Sequence, residues 1–559
     1  MGKINWYNGA KGFGFITRNS GEELFFHISD FKTNSDIRLK RGLAVKYDIG
    51  FNEKGEVAKN ICLLEKEVEY TGQVQIGSNT ITNNDRKFGI LEILSKWKLD
   101  AKHDEMGRNY FHIKQEKAIL EGTKSFVIGR KGTGKTALSE SIYSQSKHNT
   151  FSQKLTFKNF PFNDLYTLEN KDYTRPNQYI SLWKYLIYSS ICKMMIDNNA
   201  IDSEVRATLS ELFSSNTPLN NLKKSIKQWT AKDVSLKFMG VGGKIGVEKN
   251  EQSWIDRLDV LEEVIEAYLD NSNYYIVFDE LDEDYKNIVE MKQQADYISL
   301  ITSLFKAVQD VRSIFSSLNF NIKPIVFLRD DIYDLILDSD KNKWEDFRVD
   351  LEWNIKKIQD LLAYRISKAN EHSDSIKSFN QAWNMVFEAS PVKMGDRGRK
   401  KLSIFEYITR STHLRPRDYV RYIQVAADDS LQHGRDVITA NTVKKVDKGF
   451  SNYLRNELVD EIHGIIPDIQ EIFSIISEIR KQVFSVTEFK NVYKARLEKD
   501  LLVTKDADYV LKTLFHFSVI GNLSKGGVDF FRYSNKEARF NFKESIIVHR
   551  GLFKALQII

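Results

Sequence analysis

In the first 66 residues apolar and polar positions alternate between glycine turns, the period-two pattern of short, half-buried strands. Later come three continuous apolar runs, at Phe126–Ile128, Tyr274–Phe278 and Pro324–Leu328. Runs of this kind read as strands of a parallel sheet covered on both faces. Between the second and third, Tyr297, Ile301, Leu304, Val308, Val311 and Phe315 recur at steps of four and three. That stripe predicts one helical face packed on a sheet. Asn109–Gly122 predicts an amphipathic helix that either packs or borders a base pocket. Ile180–Tyr188 predicts a core helix, and the glycines of Ser235–Val247 a hairpin. After the third run the chain turns helical, from Trp344–Arg348 and Leu361–Ile366 onward. Near the end, Ile472, Ile475, Ile476 and Ile479 make one helical face, and Ser485–Glu488 is a capping box opening a helix through Leu497. A third helix is expected over Asp508–Ile520, followed by a hairpin with strands at Phe530–Tyr533 and Ala538–Phe542.

The expected organisation is multidomain: a small all-β barrel at 1–66 and a linker with a leading helix at 67–104. An α/β core follows at 105–340 with an insertion at about 150–250, then a helical lid at 341–467 and an α+β unit at 468–559. A chain of 559 residues is too long for a single hydrophobic core. Its 42% hydrophobic and 28% charged content is that of a soluble globular protein. A net charge of +6 is mild over this length, so nucleic-acid binding must be argued from local sites. Cys62 and Cys192 form no metal or redox spacing, no apolar run reaches 18 residues, and the first residues lack a signal core. The expectation is a cytoplasmic protein without a membrane partner.

The first apolar strand runs into Gly129-Arg130-Lys131-Gly132-Thr133-Gly134-Lys135-Thr136-Ala137, a phosphate-binding loop. Glycines at 129, 132 and 134 let backbone N–H groups turn inward, and the helix starting near Lys135 points its positive end at the phosphates. Lys135 then reaches the β/γ-phosphates and Thr136 ligates Mg²⁺. The second run ends in Asp279-Glu280, with Asp279 as a metal ligand beside Thr136 and Glu280 placed to polarise a water. The third ends in Arg329, at the position of a γ-phosphate sensor.

These three elements resemble a P-loop ATPase of the AAA+/STAND group, with its bacterial KAP-like relatives, over roughly residues 105–430. The resemblance implies ATP and Mg²⁺ as cofactors, Lys135 and Thr136 on phosphate and metal, Asp279 on metal, Glu280 as base and Arg329 as sensor. It also implies a lid arginine near Thr412–Arg421, for which Arg415 and Arg417 are candidates and Arg348 a weaker one. Homo-oligomers are expected.

In the first 66 residues, Phe13 and Phe15 share a strand face, and a neighbouring strand adds Phe25 and His27. With the flanking Lys3, Lys11 and Lys59 they form a stacking platform for unpaired bases. Ile4, Ile16, Leu24, Val45, Ile49, Val57 and Ile61 remain to fill the barrel. This segment resembles the cold-shock domain, an OB-fold, and the resemblance implies Trp6, Phe13, Phe15, Phe25 and His27 as nucleic-acid residues, although Ile4-Asn5-Trp6 carries Asn where the family has Lys. The order of elements after 468 resembles a winged helix, which implies duplex DNA or a protein as partner, with Lys490, Lys494 and Arg496 on the helix that would enter a groove.

Together these resemblances imply an ATPase that binds single-stranded DNA or RNA and couples it to nucleotide turnover, in nucleic-acid maintenance or defence against phage. The alternative is a nucleotide-gated scaffold in which hydrolysis is incidental. A third reading is an RNA chaperone acting through residues 1–66 alone.

Overall fold

A computed structural model describes residues 2–8, 13–18, 23–31, 44–52, 55–63, 83–104, 106–145, 148–157, 166, 173–174, 177–213, 256–282, 291–370, 375–394 and 399–558. The expected hairpin at Ser235–Val247 lies outside them, as does Lys11. The chain divides into two compact units, Met1–Thr80 and Ile81–Ile559.

In the first unit, β1 (Gly2–Asn8), β2 (Phe13–Arg18), β3 (Glu23–His27), β4 (Ala44–Asn52) and β5 (Gly55–Leu63) close a barrel in the order β1-β2-β3-β5-β4. Alternation decides what fills it: Ile4, Ile16, Leu24, Phe26, Val45 and Ile61 point inward, so their neighbours Phe13, Phe15, Phe25 and His27 point outward. Gly14 is required on β2, between β1 and β3, because a Cβ there would meet the Trp6 carbonyl at 2.3 Å and the Phe26 ring at 2.8 Å. One expected core residue is displaced. Ile49 is 53% exposed, and Phe26 and Phe31 fill the barrel instead.

The second unit is built on β6 (Phe126–Ile128), β7 (Thr150–Thr156), β8 (Asn273–Asp279), β9 (Asn321–Leu328) and β10 (Arg348–Asp350). They form one parallel sheet ordered β10-β6-β9-β8-β7. Three expectations change. Thr150–Thr156 is the edge strand of the sheet rather than the start of an insertion, and the sheet extends to Arg348–Asp350, where a helix was expected. β9 separates the loop strand β6 from the carboxylate strand β8, so Asp279 reaches the loop across the carboxyl edge rather than from an adjacent strand.

Helix α1 (Asn83–Ser95) precedes the sheet, α2 (Lys135–Tyr143) follows β6, and α3 (Met291–Ser317) connects β8 to β9. The predicted stripe of α3, from Tyr297 to Phe315, is at most 1% exposed. The helix expected over Asn109–Gly122 is shorter, Lys114–Leu120, leaving Tyr110–Ile113 extended.

Beyond the sheet lie α4 (Ile355–Ala369), α5 (Pro416–Gln432) and α6 (Ala440–Ile462), then α7 (Ile469–Ile479), α8 (Val486–Leu497) and α9 (Ala507–His516). The last helix stops at His516 because Ser518 adopts φ +57, and the chain enters the strand Ile520–Leu523. Its sheet is completed by Val483–Phe484, Ser545–Val548 and Asp529–Phe530, not by Ala538–Phe542. In the winged-helix order that the sequence suggests, the groove-reading helix is the last of the three, so that expectation falls on α9 and not on the helix that carries the predicted basic residues. Lys490, Lys494 and Arg496 sit on α8, and Arg496 is committed to Glu471 and Glu478 at 3.0 and 2.9 Å.

Lid and C-terminal helices share one apolar core, which also takes in Ile90, Leu91 and Leu94 of α1 and Trp97. The last residues are stitched to the lid. Arg550 donates to Ser411, and the Ala555 N–H to Ser451 Oγ at 2.9 Å. At Gly551 a Cβ would meet the Ser411 carbonyl at 2.2 Å. Between the last strands Arg532 pairs with Asp334 at 2.6 Å and Lys536 with Asp350 at 2.8 Å.

Candidate functional site: a nucleotide cleft and an aromatic platform

The cleft, about 310 Å³, opens at the carboxyl edge of the sheet. Its floor is the loop from Lys131 to Ala137. Gly132 and Gly134 adopt φ +82 and +98, the left-handed region that glycine enters without penalty, and Gly134 caps α2. The Lys135 ammonium donates to the carbonyls of Gly129 and Arg130 at 2.6 and 3.1 Å. No ion pair within 4.0 Å joins it to a carboxylate among the described residues, and burial pushes its pKa down. A half-buried cation whose bonded partners are main-chain carbonyls, at the start of a helix, suits a polyanion such as a triphosphate.

Thr136, Asp279 and Glu280 line the same cleft. Asp279 is 2% exposed and fully engaged. Its Oδ2 accepts from Ser139 Oγ at 2.6 Å and Lys154 Nζ at 2.8 Å, and its Oδ1 from the Glu280 N–H at 2.9 Å. Glu280 sits at φ +58, a strained conformation for a residue with a side chain. Both its carboxylate oxygens accept from Lys102 Nζ at 2.9 Å. Toward the other end the walls turn apolar, with Tyr110, Ile113, Leu351, Pro416 and Val420. Trp353 closes them by donating from Nε1 to the Thr133 carbonyl at 2.8 Å.

The sequence-predicted arginines separate. Arg417 lines the cleft with a loose partner, Glu457 at 3.4 Å. Arg329 does not line it: its guanidinium is held bidentate by Asp331 at 2.9 and 2.7 Å. Arg415 is 1% exposed and donates to both Asp418 oxygens, to Glu461 at 2.8 Å and to the Lys131 carbonyl at 3.2 Å. It buttresses the loop from behind. Arg130 and Gly129 face a second cavity on that side, and Arg348 is bound to Asp350 at 2.8 Å.

A buried ion network has a predictable cost when broken. Arg415→Ala leaves Asp418 and Glu461 as uncompensated buried charges and is expected to lose about 3–5 kcal/mol of stability, read by thermal unfolding. Burial opposes charge on Glu461, but Arg415 and Lys131 outweigh it and hold its pKa at about 2, below its usual 4.5. A depressed carboxylate pKa contributes stability that is complete above pH 4.5 and lost as pH falls toward 2. The wild type is therefore expected to lose stability across that window more steeply than Glu461→Gln.

On the barrel, Phe15 pairs with Phe25 and with Trp6, and Phe13 with His27, across neighbouring strands. Ring centroids lie 5.7 Å apart for Trp6 and Phe13, 5.7 Å for Phe13 and Phe25, and 5.8 Å for Phe15 and Phe25. Trp6 is 47% exposed. Of the predicted lysines, Lys59 is paired with Asp30 at 2.7 Å; the side chain of Lys3 lies outside the description.

Residues 1–64 match the family described as 'Cold-shock' DNA-binding domain. The major cold shock protein of Streptococcus pyogenes serotype M18 (strain MGAS8232) is 38% identical over 64 residues, 11% of this chain and 96% of that protein. Cold shock-like protein CspC of Bacillus cereus is 36% identical over 64 residues, 11% of this chain and 98% of that protein. Through residues 1–64, the chain belongs to the cold-shock domain family. The aromatic platform is thus the outward face of its cold-shock domain.

Residues 356–459 match a second family, described as FunZ-associated C-terminal helical domain; this stretch takes in nearly all of α4, all of α5 and most of α6. Among solved structures, Aeropyrum pernix ORC2 is 11% identical, covering 79% of this chain and 88% of that one at a TM-score of 0.36. Cdc6p of Pyrobaculum aerophilum is 10% identical, covering 87% and 95% at 0.28. Likenesses this loose decide nothing about the chain beyond the cold-shock domain.

Among the residues that escaped the reading of the sequence are Asp282 and Trp353, which line the cleft, and Lys102 and Lys154, which pair with its carboxylates Glu280 and Asp279. Lys154 carried a signal, a lysine near the carboxyl end of an otherwise strand-like run, Thr150–Phe157.

Proposed function

We propose that the chain is a nucleic-acid-binding ATPase, in which the cold-shock domain takes single-stranded DNA or RNA and the cleft takes ATP with Mg²⁺. The observation that carries the catalytic half is the convergence of Lys135, Thr136, Asp279 and Glu280 on one cleft. The N–H groups from Gly132 to Thr136 and the Lys135 ammonium hold the phosphates. Thr136 Oγ1 and Asp279 hold the metal, which neutralises charge on the terminal phosphate when bound. Glu280 accepts the proton of the attacking water, and Arg417 is placed to meet the γ-phosphate. Among the described residues no helix is long and apolar enough to cross a membrane. The proposed setting is the cytoplasm, with assembly into homo-oligomers and a duplex-DNA or protein contact at the three-helix C-terminal unit.

A specific observation favours the scaffold reading: Lys102 pairs with Glu280 and Lys154 with Asp279, a resting state unsuited to turnover. Steady-state hydrolysis by the full chain separates the two, measured alone and with single-stranded DNA, single-stranded RNA or duplex DNA, with Lys135→Ala as control. Stimulation by a single strand is expected. Equal turnover with and without every nucleic acid would sink the coupling, and tight ATP binding with no turnover would establish the scaffold.

A further inference from the structure

We propose that Lys154 is a positioning residue that sets how tightly the cleft takes a divalent metal, an inference that rests on the nucleotide reading above. Lys154 lies on the edge strand β7, level with Val277 of β8, and is 7% exposed. Its ammonium donates to Asp279 Oδ2 at 2.8 Å, Ser139 Oγ at 2.6 Å and Glu140 Oε1 at 2.9 Å. A hard divalent cation binds through oxygen, and Asp279 is the carboxylate offered to it beside Thr136. That carboxylate already faces an ammonium, so an arriving metal meets a like charge and a ligand whose Oδ2 has two donors.

The lysine cannot leave. Its burial makes an unpaired ammonium costly, and a second carboxylate must receive it when Asp279 turns to the metal. Glu140 is that carboxylate. It stands one residue after Ser139 on α2, already within hydrogen-bond distance of Lys154 and with a side chain 24% exposed, so it can strengthen its hold on the ammonium without reorganising the core. Lys154 is therefore shared between two acids. Glu140 relieves Asp279 of its counter-charge, and the balance between the two fixes the metal affinity.

The test is an Mg²⁺ titration of the full chain with bound N-methylanthraniloyl-ATP, followed by fluorescence, with nucleotide affinity measured separately in EDTA. In Lys154→Gln the Mg²⁺ midpoint is expected to fall about a hundredfold or more, the scale of one unit charge roughly 6 Å away at an effective dielectric of about 20. In Glu140→Gln, where the ammonium stays on Asp279, the midpoint is expected to rise several-fold. Affinity in EDTA is expected to stay the same in both. A folded Lys154→Gln with an unchanged or raised midpoint overturns the inference. Should that variant fail to fold, Glu140→Gln decides alone: a rise supports the inference, and no change or a fall overturns it. Failure of the wild type to bind the nucleotide at all would instead overturn the nucleotide reading, and this inference with it.

Discussion

Replacing Glu280 with Gln is expected to lower ATP turnover about 10²–10⁴-fold, the range a positioned general base contributes, while ATP remains bound. Glu280 follows Asp279 at the end of β8, and its left-handed backbone, φ +58, turns the residue away from the strand direction. Such strain persists only where surrounding structure over-determines it. Gln keeps the shape and reach of Glu but cannot accept a proton, so binding and chemistry are separated. In the structure both Glu280 oxygens belong to Lys102, and turnover requires that pair to open. Single-turnover hydrolysis beside equilibrium ATP binding checks the expectation. Turnover that survives in Glu280→Gln at the wild-type rate would remove Glu280 from the chemistry. Lys135→Ala, by contrast, is expected to lose binding itself, because it removes the charge that faces the phosphates.

The combined substitution of Phe13, Phe15 and Phe25 by Ala is expected to weaken single-strand binding by about 10²-fold or more, at about 1–3 kcal/mol for each stacked base. The three rings touch one another on the outside of the barrel, whereas the interior is filled by Ile4, Ile16, Leu24, Phe26 and their neighbours. Binding should therefore fall with the barrel still folded, as circular dichroism would show. Fluorescence anisotropy with a labelled oligonucleotide measures the loss, and retention of wild-type affinity would remove the platform from recognition.

Legibility followed the range of the constraint. The phosphate loop and the acid-ended strand were readable because local chemistry dictates each: glycine where φ is positive, apolar residues where a strand is covered on both faces. β10 is three residues long, too short to show a period. β7 hid because Gln153 and Lys154 interrupt its apolar positions, and Lys154 is tolerated because Asp279, 125 positions later, and Glu140 share its charge. Of the arginines, Arg329 and Arg348 are taken by near neighbours, Asp331 and Asp350, and one failed through a distant partner. Arg415 looked like a free sensor until Glu461, 46 residues on, was found to hold it. Side chains committed to distant partners cannot be told from free ones in a single sequence. The outward rings of the cold-shock domain could be told, since more aromatic residues stood in the alternating pattern than one small barrel can enclose.

The stitching of Arg550, Gly551 and Ala555 onto the lid, with a core shared from α4 to α9, leaves no seam at which the C-terminal helices could swing independently. Arg415 ties the same body to the carbonyl of Lys131 in the phosphate loop. The phosphate loop and the C-terminal sheet are thereby fastened into one body: Arg415 ties the loop to the helices behind it, and the Arg532–Asp334 and Lys536–Asp350 pairs pin the segment before the last strand to the parallel-sheet side.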